Sequence, residues 1–151
     1  LPRNMVSVSN DRLSKFNMKS FINSVRNGNF YGTTGPFMEL KLDESYMGEM
    51  HSGNQGTLNG RIYSVDWAKA NNLKIQMNGK QILDLKLNDS GIFSIPLEFN
   101  QDSFITIETS GKAGENYQAV YPGFFPYAFS NPIYIDADGD GVWTPPGLES
   151  N

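Results

Sequence analysis

Cysteine is absent, and histidine occurs once, as His51. The missing thiols exclude disulfides, zinc–thiolate sites, iron–sulfur clusters and cysteine nucleophiles. A single imidazole excludes multi-histidine metal sites and leaves one candidate general base. His51 lies in Met50-His51-Ser52-Gly53-Asn54-Gln55-Gly56, which reads as a polar loop and predicts a solvated surface histidine. Long apolar runs are also missing: no stretch approaches the ~20 residues a helix needs to span a bilayer. Positive charge is sparse, with 12 Lys+Arg against 16 Asp+Glu and a formal net charge of −4. Without a basic stripe to meet a phosphate backbone, nucleic acid is not expected as a partner. Neither a G-x-S-x-G elbow nor a phosphate-cradling glycine loop is present. The chain is therefore expected to be non-catalytic on its own.

What is present is a chain long enough for a core. At 151 residues it fits one domain, and a chain of this size buries about two-thirds of its unfolded surface. Met18, Phe21, Ile22 and Val25 recur at helical spacing, with Asn17 available as N-cap and Gly28 placed to end the helix. From Met38 the period becomes two. Met38, Leu40 and Leu42 alternate with Glu39, Lys41 and Asp43, and Tyr63, Val65 and Trp67 mark a further strand. Leu73, Ile75 and Met77 lead into Asn78-Gly79, a hairpin signal, and Leu83, Leu85 and Leu87 return from it. Phe93 to Phe99 alternates around Pro96, which suits an edge strand. Strands at Phe104 to Glu108 and Ile133 to Ile135 follow, separated by a long connection from Ser110 to Phe125. The expected fold is mostly β, an immunoglobulin-like β-sandwich of about seven strands with one short N-terminal helix. Residues 1–36 read as a junction segment and residues 37–151 as the sandwich.

Two segments carry chemistry. Asp136-Ala137-Asp138-Gly139-Asp140-Gly141 places acids at positions 1, 3 and 5 and glycine at 6 of an EF-hand-like loop, with the Val142 carbonyl at position 7. Alternate residues on a tight turn converge their carboxylates, as a hard cation with six to eight oxygen ligands requires. Position 12 is Gly147 instead of a bidentate Glu, and Glu149 is the nearest replacement acid. One calcium ion at Asp136, Asp138, Asp140 and Val142 is one reading; self-bonded Asx turns closing the last strand are the other. The second segment holds Tyr117, Tyr121, Phe124, Phe125, Tyr127 and Phe129. These aromatics either seal one end of the sandwich or form a surface for carbohydrate or a neighbouring domain.

Three segments together resemble a known family. They are Leu1-Pro2-Arg3-Asn4-Met5-Val6 followed by a short helix, the run from Val25 to Met38 containing Thr33-Thr34-Gly35-Pro36, and Ser130-Asn131-Pro132-Ile133-Tyr134-Ile135 running into the Asp loop. In this order they are similar to the C-terminal part of PHP-type metal-dependent phosphoesterases, in the carbaryl-hydrolase-like (CehA/McbA) branch. The resemblance implies a distorted barrel upstream of Leu1 that holds divalent metals through histidines and acids, with this β-sandwich as its accessory domain. It transfers no catalytic residue to this chain. It implies the upstream catalytic domain as partner, with the helix and Thr33-Thr34-Gly35-Pro36 at the junction. An acidic composition and a calcium loop lean towards the periplasm or the exterior of a bacterium, where calcium is abundant. A rival expectation is a carbohydrate-binding or adhesive module that uses Tyr117, Tyr121, Phe124, Phe125 and Tyr127.

Overall fold

Period-two alternation makes strands wherever two sheets can each turn one face inward, and this constraint organises nearly the whole chain. The computed structural model describes residues 2–10 and 12–147; Leu1 and Glu149 lie outside them. Its elements run β1 Arg3–Val6, α1 Met18–Arg26, β2 Phe30–Thr33, β3 Phe37–Leu42, β4 Met50–Ser52, β5 Gln55–Tyr63, β6 Asn72–Met77 and β7 Lys80–Lys86. They continue through β8 Ile92–Glu98, β9 Ser103–Ser110, α2 Glu115–Val120, β10 Tyr127–Ser130 and β11 Ile133–Asp136.

The fold is a β-sandwich. One sheet has the order β3-β5-β8, and it faces the row β7-β6-β9-β11 of a larger eight-stranded sheet. The chain crosses from β5 to the β6–β7 hairpin, back to β8 beside β5, and again to β9 beside β6. That is the Greek-key path of an immunoglobulin-like sandwich. The four remaining strands, β1, β2, β4 and β10, widen the larger sheet. Two of these, β1 and β2, come from the stretch read as a junction and join the sheet through β2 pairing with β10.

Strand β9 carries the arrangement. One edge pairs with β6 from Ile105 to Ser110. The other is shared, with β10 on Glu108 to Ser110 and β11 on Ser103 to Ile105. Its residues Ile105 and Ile107 are fully buried, against Leu42 and Leu58 of the facing sheet and Leu73, Ile75, Ile133 and Ile135 of its own. Each such side chain contributes roughly 1.5–3 kcal/mol relative to exposure. Gly60 leaves room in β5 for the Phe93 ring: a Cβ there would stand 2.4 Å from Phe93 Cζ.

Local signals held where chemistry dictates geometry. Asn17 caps α1 by accepting from the Ser20 amide at 3.0 Å. Gly28, at φ +76°, ends the helix in a Schellman motif, with Gly28 N–H donating to Val25 O at 3.2 Å and Asn29 N–H to Ser24 O at 2.9 Å. Asn78 and Gly79 both take positive φ, 53° and 79°, as a type I′ hairpin turn needs. Pro96 lies in β8, which borders only β5.

Other expectations need correction. Val65 and Trp67 are not in a strand; β5 starts earlier, at Gln55, and residues Asp66–Ala68 form a 3-10 turn that packs Trp67 against Tyr117 with ring centroids 6.0 Å apart. The long connection contains α2, and β10 follows it. His51 is not a solvated loop residue: β4 pairs in parallel with β11, which leaves His51 8 % exposed with Nε2 2.9 Å from the Gln55 carbonyl oxygen.

Thr109 faces inward from β9 with its Oγ1 buried and without a hydrogen-bond partner among the described residues. Replacing it with the isosteric Val removes that desolvation cost. Thr109→Val is expected to gain about 1 kcal/mol in urea unfolding; a loss of stability would show that the hydroxyl is satisfied.

Candidate cation site and aromatic surface

The Asp loop begins where β11 ends. Antiparallel register pairs Ile135 with Ser103 across β11 and β9, so Asp136 leaves its strand beside Asp102, the residue that enters β9. Asp136 is fully buried. Its Oδ1 accepts from the amides of Gly139 at 2.9 Å and Asp140 at 3.1 Å; its Oδ2 accepts from the Gly141 amide at 3.0 Å and Ser52 Oγ at 3.3 Å. Gly139 and Gly141, at φ +73° and +86°, let the chain wrap around that carboxylate. Asp138 accepts from the Asp140 amide at 3.2 Å, and Asp140 from the Val142 amide at 2.7 Å. The self-bonded Asx turns are thus present.

A further acid joins the loop from outside. Asp102 accepts from the Ala137 amide at 2.9 Å and the Thr144 amide at 2.6 Å. Carboxylate oxygens of Asp102, Asp136 and Asp138 all lie within 4.8 Å of one another. Of the four ligands expected from sequence, the structure brings Asp136 and Asp138 together. Asp140 falls outside this group of carboxylates, and Glu149 lies outside the described residues. Asp102 had no signal of its own, because Phe99-Asn100-Gln101-Asp102 reads as an ordinary polar turn. Trp143 pins the segment after the loop, donating from Nε1 to Ser103 O at 2.8 Å and packing edge-on against Tyr134 at 4.8 Å. A cleft of about 690 Å³ lined by Asn54, Asp102, Asp138 and the proline tail opens beside the acids.

The carboxylates are pulled in opposite directions. Burial works to raise Asp136, but the amides of Gly141 and Gly139, with Asp138 and Ser52, outweigh it and hold the group below the usual aspartate range. For Asp138 the Asp140 amide works downward, while burial and the carboxylates of Asp140, Asp136 and Asp102 push it up. Crowded acids of this kind repel one another, and a bound cation relieves that repulsion.

The aromatic cluster divides in two. Tyr117 is fully buried: its hydroxyl donates toward Thr34 O at 3.0 Å and Phe125 O at 3.1 Å, and its ring packs on Trp67 and Tyr121. Thr34 Oγ1 in turn donates to Phe125 O at 2.7 Å and accepts from the Tyr127 amide at 2.9 Å. This seals one end of the sandwich. Phe124, Phe125 and Phe129 instead stay exposed. Rings of Phe125, just before β10, and of Tyr127 and Phe129 on it follow one another at 5.6 and 5.9 Å, and Gly32 leaves space for Phe129. Burial, then the hydrogen bond to Glu108, pushes the Tyr127 hydroxyl up to about 12.

Because Asp136 titrates lower when folded, its contribution is present above the unfolded aspartate value near 3.9 and is lost as pH falls through the lower folded one. Asp136→Asn should therefore melt below the parent at pH 7, with the gap narrowing below about pH 4. A gap independent of pH would contradict the assignment.

No family model, no curated protein and no solved structure matches the chain.

Proposed function

We propose that the chain is a non-catalytic accessory β-sandwich of a PHP-type metal-dependent hydrolase, which holds one calcium ion where the turn before β9 meets the loop after β11. The observation that carries the calcium part is Asp102. It brings a third carboxylate to Asp136 and Asp138 from another part of the chain, in place of the acid that position 12 of the loop lacks. Oxygen-only donors suit a hard cation. The parental link is supported by the order of the three resembling segments, and it requires a histidine-bearing barrel encoded upstream of Leu1.

Calcium at about a hundred times its Kd should stabilise the fold by roughly 2.7 kcal/mol, read as a rise of several degrees in Tm. Asp138→Ala and Asp102→Ala should each abolish that rise, whatever their effect without calcium. An unchanged melting curve for the parent chain would sink the calcium reading.

A second reading, a carbohydrate-binding module, is favoured by the aromatic run that leads into β10, exposed at Phe125 and Phe129 and half-buried at Tyr127. Aromatic faces stack on sugar rings, and Phe125, Tyr127 and Phe129 present consecutive ones. Glycan-array binding that Phe125→Ala or Phe129→Ala removes would support it; silence across polysaccharides would count against it.

A further inference from the structure

Helix α1 turns three of the four residues of its apolar stripe outward, with Phe21 half-buried. A surface helix normally buries that stripe, yet Met18, Ile22 and Val25 are all exposed, Met18 at 60 %. The side turned to the body carries Ser20 and Ser24, which line a cleft of about 600 Å³ with Tyr31, Glu39 and Glu49. Ahead of the helix, the 3-10 turn Leu13–Lys15 presents Leu13 at 94 % exposure, with Phe16 exposed beside it and stacked on Phe21 at 5.8 Å. Water disfavours such an exposed apolar ridge unless something covers it.

Charge says what covers it. Residues 12–38 contain Arg12, Lys15, Lys19 and Arg26 and no acid, in a chain of net charge −4. All four cations are exposed, and none forms an ion pair among the described residues. On the helix, Lys19 and Arg26 lie on the flank of the stripe next to Ile22, since residues four apart are neighbours on a helix. Exposed apolar side chains with cations interleaved match the interface of an anionic bilayer. There the side chains enter the acyl boundary and the cations meet headgroup phosphates.

We propose that residues 12–26 form a peripheral binding site for an anionic lipid surface. The proposal does not depend on the calcium or carbohydrate readings, and it competes with the expectation that an upstream catalytic domain covers this helix. The test is co-sedimentation of the full chain with vesicles of phosphatidylcholine alone and of phosphatidylcholine mixed with phosphatidylglycerol. Binding is expected only to the mixed vesicles and should fall as salt screens the charges. Lys15→Gln with Lys19→Gln should weaken it about thirtyfold, each cation contributing about fivefold. Leu13→Ser with Phe16→Ser should remove it, and Leu13→Ser alone, at a side chain 94 % exposed, should weaken it while leaving the melting curve unchanged. Three results would overturn the proposal: no sedimentation with mixed vesicles at low salt, equal binding to both vesicle types, or a concentration-dependent dimer dissolved by Phe16→Ser. The last would assign the ridge to a second copy of the chain.

Discussion

Both edges of β9 are occupied, and every candidate functional feature of the sandwich is registered against it. Its pairing with β6 completes the sheet that faces β3, β5 and β8, and its other edge is divided between β10 and β11. A strand flanked on both sides and buried on its inner face has no freedom to slip, since a one-residue shift would turn Ile105 and Ile107 out of the core. The position of β10, with the half-buried Tyr127 and the exposed Phe129, and of β11, with the Asp loop at its end, follows from that register.

The acid cluster shows how a local motif and a global register combine. Asp136 and Asp138 lie in one turn, and glycine at 139 and 141 allows that turn to close. Asp102 arrives only because Ser103 stands opposite Ile135. Three carboxylates drawn together by strand pairing, one lowered by amide donors and one raised by its neighbours, give an electrostatic arrangement that the loop alone does not explain. Trp143 and the Thr144 amide tie the following segment back to the same end of β9, so loop and anchor behave as one unit.

How far the sequence could be read depended on whether a feature is local. The N-cap at Asn17, the Schellman glycine at 28, the hairpin at Asn78-Gly79 and the edge proline at 96 each act over a few residues, and each was readable. So was the sandwich, because alternation from Met38 onward reports one buried face. Features that depend on distant pairing were hidden. Strands β1, β2 and β10 are short and lack clear alternation, so only their pairing identifies them. Helix α2 sits in a glycine-rich stretch and is held by the buried Tyr117 more than by propensity. His51 became buried through a parallel pairing that no local pattern announces. Asp102 needed a register across the sheet. The direction of the helix stripe was also unreadable, because periodicity shows that a stripe exists and not which way it faces.

The calcium assignment is the claim on which the proposed role of the Asp loop rests, and a crystal structure grown at saturating calcium tests it most directly. The account predicts density for one ion at 2.3–2.6 Å from oxygens of Asp102, Asp136 and Asp138. A loop that retains its amide hydrogen bonds with no ion between those three carboxylates would contradict it.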